Sequence, residues 1–396
     1  MHVFIIETIL NGHHAGYFER IVTAYLDDGH FVTATALKCN LNNIAIQRIK
    51  SRYGTAFNII EIDDAKYKAA LNSMMGLYGR EFALRRIFGQ AYRMVNRSKP
   101  VDYVFLPYLD YCLYALGMLG SPFGPTLWGG ICMRPSFHYS NSGLIAPKPK
   151  LARIKKFLFL RLLRNRKLKV CYSIDELLCR YVTKNYSQLA QRLLYIPDPA
   201  ELKGNHSYRS GRQELGLSDT AIVILVYGAI DERKGLDILV DALISSDKIK
   251  NFHILVVGEQ SESIQVLMKS ELLSSLFKEG RCHVINKFVD DEMQQMVFAS
   301  SDVVWLGYRN HYTMSGVLVL AGMAGKPVIS TASGLLGWYT KENNLGPTFD
   351  FNFRSDVVEA LEKLINEGVR VECGINARNK FIDNNWLNFS KKILNY

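Results

Sequence analysis

No apolar run in the 396-residue sequence is long enough to span a bilayer, and the opening stretch MHVFIIETILNGHHAGYFER turns polar after a few residues. A signal peptide or membrane anchor is therefore not expected. The seven cysteines, at 39, 112, 132, 171, 179, 282 and 373, form no C-x-x-C pair and no Cys/His spacing suited to zinc. Their scatter argues against a disulfide framework and predicts reduced thiols in a cytoplasmic protein. Gly-x-Gly-x-x-Gly is absent, as is the Gly-x-x-x-x-Gly-Lys-Ser/Thr loop, so P-loop hydrolysis is not expected. There is no Asp-x-Asp, and the acidic pairs at 27–28, 63–64 and 290–291 read as helix-start or loop charges. Neither a metal nor another cofactor is expected. Internal repeats and low-complexity segments are lacking too.

Acids are missing where they are most informative. The stretch NHYTMSGVLVLAGMAGKPVIS, residues 310–330, holds no Asp or Glu. Neither does the segment 148–169, although it carries Lys148, Lys150, Arg153, Lys155, Lys156, Arg161, Arg164, Arg166, Lys167 and Lys169 threaded with Leu, Ile and Phe. Much of the net charge of +11, 48 basic against 37 acidic residues, thus lies in one place. A basic helix with an apolar face suits an anionic membrane surface, a packed domain face or nucleic acid. The membrane reading is preferred, and no nucleic-acid partner is expected.

Hydrophobic residues make up 48% of the chain, enough for substantial cores, and its length predicts two domains. HVFIIE, FVTATAL, FNIIEI, YVFLPYL, TLWGGI and KVCYSI read as buried strands, with helical stretches at 15–27, 41–54, 78–96, 109–119 and 151–165. The polar stretch YIPDPAELKGNHSYRSGRQELGLSD reads as a linker. Beyond it AIVILVYG, FHILVVG, CHVINKF, DVVWLGY and PVIST are strands, with helices at 235–246, 261–278, 290–299 and 316–325. Such βα series predict two mostly parallel sheets, domains 1–199 and 200–375, and a ligand cleft between them. A terminal helix in 376–396 is expected to return to the first domain.

In VYGAIDERKGLDILVDAL, a strand ends at Gly228 and Arg233 and Lys234 precede a helix, a placement suited to neutralising a diphosphate. A helix starting near Ser315 would offer the amides of Ser315, Gly316 and Val317 to an anion, although Ser315 caps a helix whatever the function. NGHHAGYF puts Gly12, His13 and His14 in the loop after the first strand, where a histidine can serve as acid or base or simply pack. Asp110, Trp128, Arg134 and His138 fall at or beyond strand ends, a set suited to a sugar acceptor or to loop packing.

Taken in order, NGHHAGYF, VYGAIDERKGLDILVDAL, LVVGE with Gly258 and Glu259, FVDDEMQQMVFASSDVVWLGYR and SGVLVLAGMAGKPVI resemble the GT-B glycosyltransferases, nearest the retaining group 1, family 4 enzymes of bacterial polysaccharide assembly. That resemblance implies α/β architecture with two Rossmann-like domains. It also implies a nucleotide-sugar donor, a glycan or lipid-linked acceptor and a protein on the inner face of the membrane. Arg233 and Lys234 would grip the diphosphate, Phe288 and Val289 would lie beside the base, and the Gly12–His14 loop would approach donor and acceptor. One departure stands out. The family's two glutamates, separated by seven residues, would fall at Tyr312 and Leu320, or with one deletion at Thr313 and Ala321. Tyr308, Arg309, His311 and Tyr312 are the candidate replacements. A donor-binding subunit without activity and a sugar-nucleotide epimerase remain alternatives, the latter lacking acids in 310–330.

Overall fold

A computed structural model describes residues 1–72 and 76–395, with only the backbone described at His13 and 76–78. The chain divides into one unit of residues 1–142, 147–197 and 386–396 and a second of 143–146 and 198–385.

In the first unit seven parallel strands lie in the order β3-β2-β1-β4-β5-β6-β7. They are β1 (His2–Ile5), β2 (Phe31–Leu37), β3 (Phe57–Ile62), β4 (Tyr103–Leu106), β5 (Leu127–Cys132), β6 (Leu168–Ser173) and β7 (Leu193–Tyr195). The order reverses between β1 and β4. At such a switch point the connecting loops diverge to opposite faces and leave a crevice at the strands' carboxyl ends. Helices cover the sheet, so strands such as HVFI and YVFL are buried along their whole length. Phe88, Trp128 and Phe159 fill the core, and burying each large side chain contributes about 1.5–3 kcal/mol.

The second unit repeats the plan with six strands in the order β10-β9-β8-β11-β12-β13. These are β8 (Ile222–Tyr227), β9 (Phe252–Val257), β10 (Cys282–Ile285), β11 (Val303–Leu306), β12 (Val328–Thr331) and β13 (Thr348–Phe349). Its switch point lies between β8 and β11. The edge strands β7 and β13, three and two residues long, were too short for periodicity to reveal.

Three expectations change. Part of the polar stretch read as a linker is the helix Tyr208–Leu215, bound into the second unit by Arg212. That guanidinium is fully buried, donates to the carbonyls of Ser300 and Ala221, and pairs with Asp302. The stretch 261–278 holds two helices, Glu262–Met268 and Glu271–Lys278. Residues 376–381 complete the helix Glu367–Phe381, whose Phe381 packs against Gly322 within the second unit. Only Trp386–Leu394 belongs to the first, where Trp386 and Phe389 meet the Tyr17 ring edge-on at 5.4 and 5.3 Å.

Candidate donor and acceptor sites

Within the second unit, the loops after β8 and β11 meet at the switch point. Gly228, at φ 100°, ends β8, and the carbonyl oxygen of Gly228 would lie 1.9 Å from a Cβ added at Gly258. Only glycine at 258 lets the two strand ends approach so closely. Asp231 accepts from the Arg233 amide at 3.1 Å and shapes a single turn that ends at Gly235, φ 62°. From this turn Arg233 extends into solvent, while Lys234 is buried. The Lys234 ammonium donates to the Tyr227 carbonyl at 2.8 Å and to the Tyr308 hydroxyl at 2.7 Å. Lys234 was expected to grip a diphosphate; two of its three protons instead tie the loops together, because a buried ammonium must be hydrogen-bonded.

The loop after β11 holds the other candidates. Tyr308 is buried against Lys234. Arg309 makes a two-pronged ion pair with Asp237, 2.6 Å at each contact, and so faces the helix Leu236–Ser245. His311 lies with Nδ1 3.5 Å from the Arg233 guanidinium. Burial and that guanidinium push its pKa down, leaving the ring neutral near pH 7 and able to sit beside a cation. The Tyr312 carbonyl accepts from Leu335, with the backbone of Gly334 packed on it at a distance that excludes a Cβ.

Ser315 caps the helix Gly316–Met323, accepting from the Val317 amide at 3.3 Å. The Val317 amide is thereby engaged within the protein, which the expectation for it did not include. Gly316 begins the helix, where an amide has no intrahelical acceptor, and a Cβ there would meet open space. Arg233, His311 and this helix start therefore belong to the two loops that meet at the switch point, beyond the carboxyl ends of β8 and β11. Glu259 is exposed and accepts from Ile230 through its carbonyl. Phe288 is 80% exposed and Val289 half-buried, both following β10.

In the first unit Gly12, φ 52°, precedes the helix His13–Asp27; the His13 side chain lies outside the described residues. His14 points Nδ1 toward Glu7 Oε2 at 3.7 Å and packs on the rings of Tyr108 and Tyr111. Glu7, buried just beyond β1, went unnoticed in the sequence. Its Oε1 accepts from the amides of Thr8 and Ile9 and from the Tyr111 hydroxyl, at 2.8–3.0 Å. The signal was an acid closing the apolar run HVFII.

A cavity of about 450 Å³ opens at the carboxyl ends of β1, β4 and β5, lined by Asp110 and Arg134 among others. Asp110 accepts from the Met133 and Arg134 amides at 2.8 and 2.9 Å, holding the loop after β5. Burial raises its pKa against the lowering effect of those amides. Trp128 and His138 do not belong there. Trp128 is wholly buried on β5, and His138, equally buried, sits 3.1 Å from Asp175, the cap of the helix Glu176–Asn185. Both residue types look functional in sequence and are here core, because β5 and the following loop turn them inward. The cavity lining also includes Arg80 and Glu81, which no motif singles out, and Lys155, which the sequence groups with the basic segment. No local pattern marked the cavity, since two distant helices, Gly76–Ser98 and Ala152–Leu163, bring these residues together.

The basic segment is also divided by its helix, Ala152–Leu163. Arg153, Ile154, Phe157, Arg161 and Arg164 are exposed at helical spacing and form one stripe, whereas Lys155 faces the cavity. Among the described residues no helix is long and apolar enough to cross a membrane.

Comparison with known proteins gives this arrangement a context. Residues 208–385 match the family model for glycosyl transferases group 1. No curated protein sequence matches the chain. Among solved structures, Anabaena HepE in complex with UDP superposes with a TM-score of 0.66 at 14% identity, over 100% of this chain and 99% of that one. WaaG, a glycosyltransferase involved in lipopolysaccharide biosynthesis, gives 0.61 at 17% identity over 99% and 98%. Sucrose-phosphate synthase from Thermosynechococcus elongatus gives 0.67 at 16% over 100% and 97%. The chain thus has the GT-B fold, and residues 208–385 of its second unit resemble the glycosyl transferases of group 1.

Proposed function

We propose that the protein transfers a sugar from a nucleoside diphosphate sugar to a glycan acceptor, without a metal, during surface polysaccharide assembly such as O-antigen, capsule or exopolysaccharide. One observation carries the reading: the exposed Arg233 and the open helix start at Ser315 and Gly316 belong to loops that meet at the switch point of a unit resembling the group 1 glycosyl transferases. As the bond between the sugar C1 and the diphosphate breaks, charge develops on the departing oxygen. A guanidinium and unpaired amides stabilise that charge. The acceptor oxygen bonds to C1, with retention of configuration preferred, and its proton leaves on the departing diphosphate oxygen. The structure of HepE with UDP and glucose supports a uridine donor as the first to test.

We further assign a lipid-linked acceptor and a place on the cytoplasmic membrane face, supported by the exposed stripe of Arg153, Ile154, Phe157, Arg161 and Arg164. Calorimetric titration with UDP, GDP, ADP, dTDP and CMP tests the donor reading. Binding of one diphosphate, weakened at least about tenfold in Arg233→Ala, is expected because charged hydrogen bonds to phosphate contribute roughly 1.5–3 kcal/mol. Equal affinity in the variant would remove the phosphate site. A silent donor-binding subunit is the second reading, favoured by the absence of acids from residues 310–330. Donor binding with no turnover on any lipid-linked acceptor would make it the better one.

A further inference from the structure

We propose that the cavity of the first unit selects an anionic acceptor, a sugar carrying a phosphate or carboxylate group. The inference rests on the transferase reading above and names the class of its second substrate.

Arg80, Arg134 and Lys155 all belong to the lining of this cavity. Among the described residues none of these three cations has a carboxylate within ion-pair distance; Arg134 stands 5.3 Å over the Tyr108 ring and Lys155 lies 5.9 Å from that of Tyr114. The two carboxylates that share the lining are already occupied. Asp110 accepts the amides of Met133 and Arg134, and Glu81 accepts those of Tyr114 and Ala115 at 2.7 and 3.0 Å. Both acids therefore hold the walls in place, and neither makes an ion pair with the three cations. Burial also pushes the Glu81 pKa up to about 7, reducing the negative charge it presents.

The shape agrees with the charge. About 450 Å³ lies within the usual range for small-ligand pockets, roughly 300–1,000 Å³. Tyrosine rings supply flat apolar surface for a pyranose, and the wall donors are positively charged. A neutral sugar would leave the three cations without an ion-pair partner, whereas a phosphate or carboxylate meets guanidinium groups in a forked geometry. His14 packs on Tyr108 and Tyr111, both cavity residues, so an imidazole adjoins the lining.

Titration of the full-length protein, first with UDP and then with methyl glucoside, glucose 6-phosphate or glucuronic acid, tests the proposal. At least one anionic sugar is expected to bind tenfold or more tightly than methyl glucoside. Arg134→Ala and Arg80→Ala should each remove most of that preference, while Arg134→Lys keeps part of it and UDP affinity stays unchanged. The tighter of the two anions identifies the group recognised. Equal affinity for all three sugars, or a preference that survives both alanine variants, overturns the proposal. If UDP itself fails to bind, the transferase reading is what fails; if UDP binds and the anions show no preference, only the acceptor class does.

Discussion

The Lys234 ammonium bridges the Tyr227 carbonyl and the Tyr308 hydroxyl, joining the ends of β8 and β11 through one buried cation. Its role is to hold two loops in register, and its neighbour Arg233 alone extends into solvent. Tyr308→Phe keeps the ring under the ammonium and removes one hydrogen bond. A stability loss of about 1 kcal/mol is expected in urea denaturation, with UDP affinity changed by no more than roughly threefold. Lys234→Ala also leaves the Tyr227 carbonyl without this donor and should cost about 1–3 kcal/mol. If K234A melts like the parent, the bridge does not stabilise the loops.

Gly258 provides a purely steric test. A Cβ there would meet the Gly228 carbonyl oxygen at 1.9 Å, and φ of 133° disfavours any other residue. Gly258→Ala should force the loop after β8 outward, costing about 1–3 kcal/mol and weakening nucleotide binding. Calorimetry on the variant should show both effects; intact nucleotide affinity alongside lost stability would separate the loop's position from binding.

Arg212 anchors the helix that the sequence disguised as a linker. Arg212→Met removes the buried cation paired with Asp302 and leaves that carboxylate only the Tyr208 hydroxyl and the Val223 amide as donors, an expected loss of about 3 kcal/mol. Chemical denaturation measures it directly. A loss below about 1 kcal/mol would mean that Arg212 is not structural.

Glu81 should make stability depend on pH. Its folded pKa, about 7 against an ordinary 4.5, means that the folded state holds a proton the unfolded chain has released between those values. Stability therefore falls as pH rises through that window, by up to roughly 3 kcal/mol, and recovers on acidification toward 4.5. Glu81→Gln stays neutral while still accepting the Tyr114 and Ala115 amides. The variant should gain stability relative to the parent at pH 8 and little at pH 5. Parallel curves for the two proteins would show that Glu81 ionises normally.

Membrane association can be tested without disturbing the core, because Ile154 and Phe157 are already 48% and 57% exposed. Replacing both with serine should release the protein from vesicles containing anionic lipid without shifting the melting temperature. Changing Arg153, Arg161 and Arg164 to glutamine should weaken binding by roughly 3 kcal/mol, about a hundredfold, at low salt. Retention of both variants on vesicles would leave the stripe as an ordinary solvated helix face.

Apolar runs such as AIVILVYG and FHILVVG, each closed by glycine, already determined parallel strands buried on both faces, and the motifs from Gly228 to Val317 fall at the carboxyl ends of the second sheet's strands. That much is local: strand periodicity, a turn glycine and a helix-capping serine act over a few residues. Which candidates reach a site was decided only by tertiary structure. Trp128 and His138 resemble ligand contacts in sequence and are core, while Glu7, Glu81 and Lys155 drew no individual role and line or support the first-unit site. Lys234 and Arg233 are adjacent in the chain yet opposite in role, because one turn between Asp231 and Gly235 buries the first and exposes the second. Side-chain direction and partners come from segments more than a hundred residues apart, as Tyr111 meeting Glu7 shows, and no local pattern encodes that meeting.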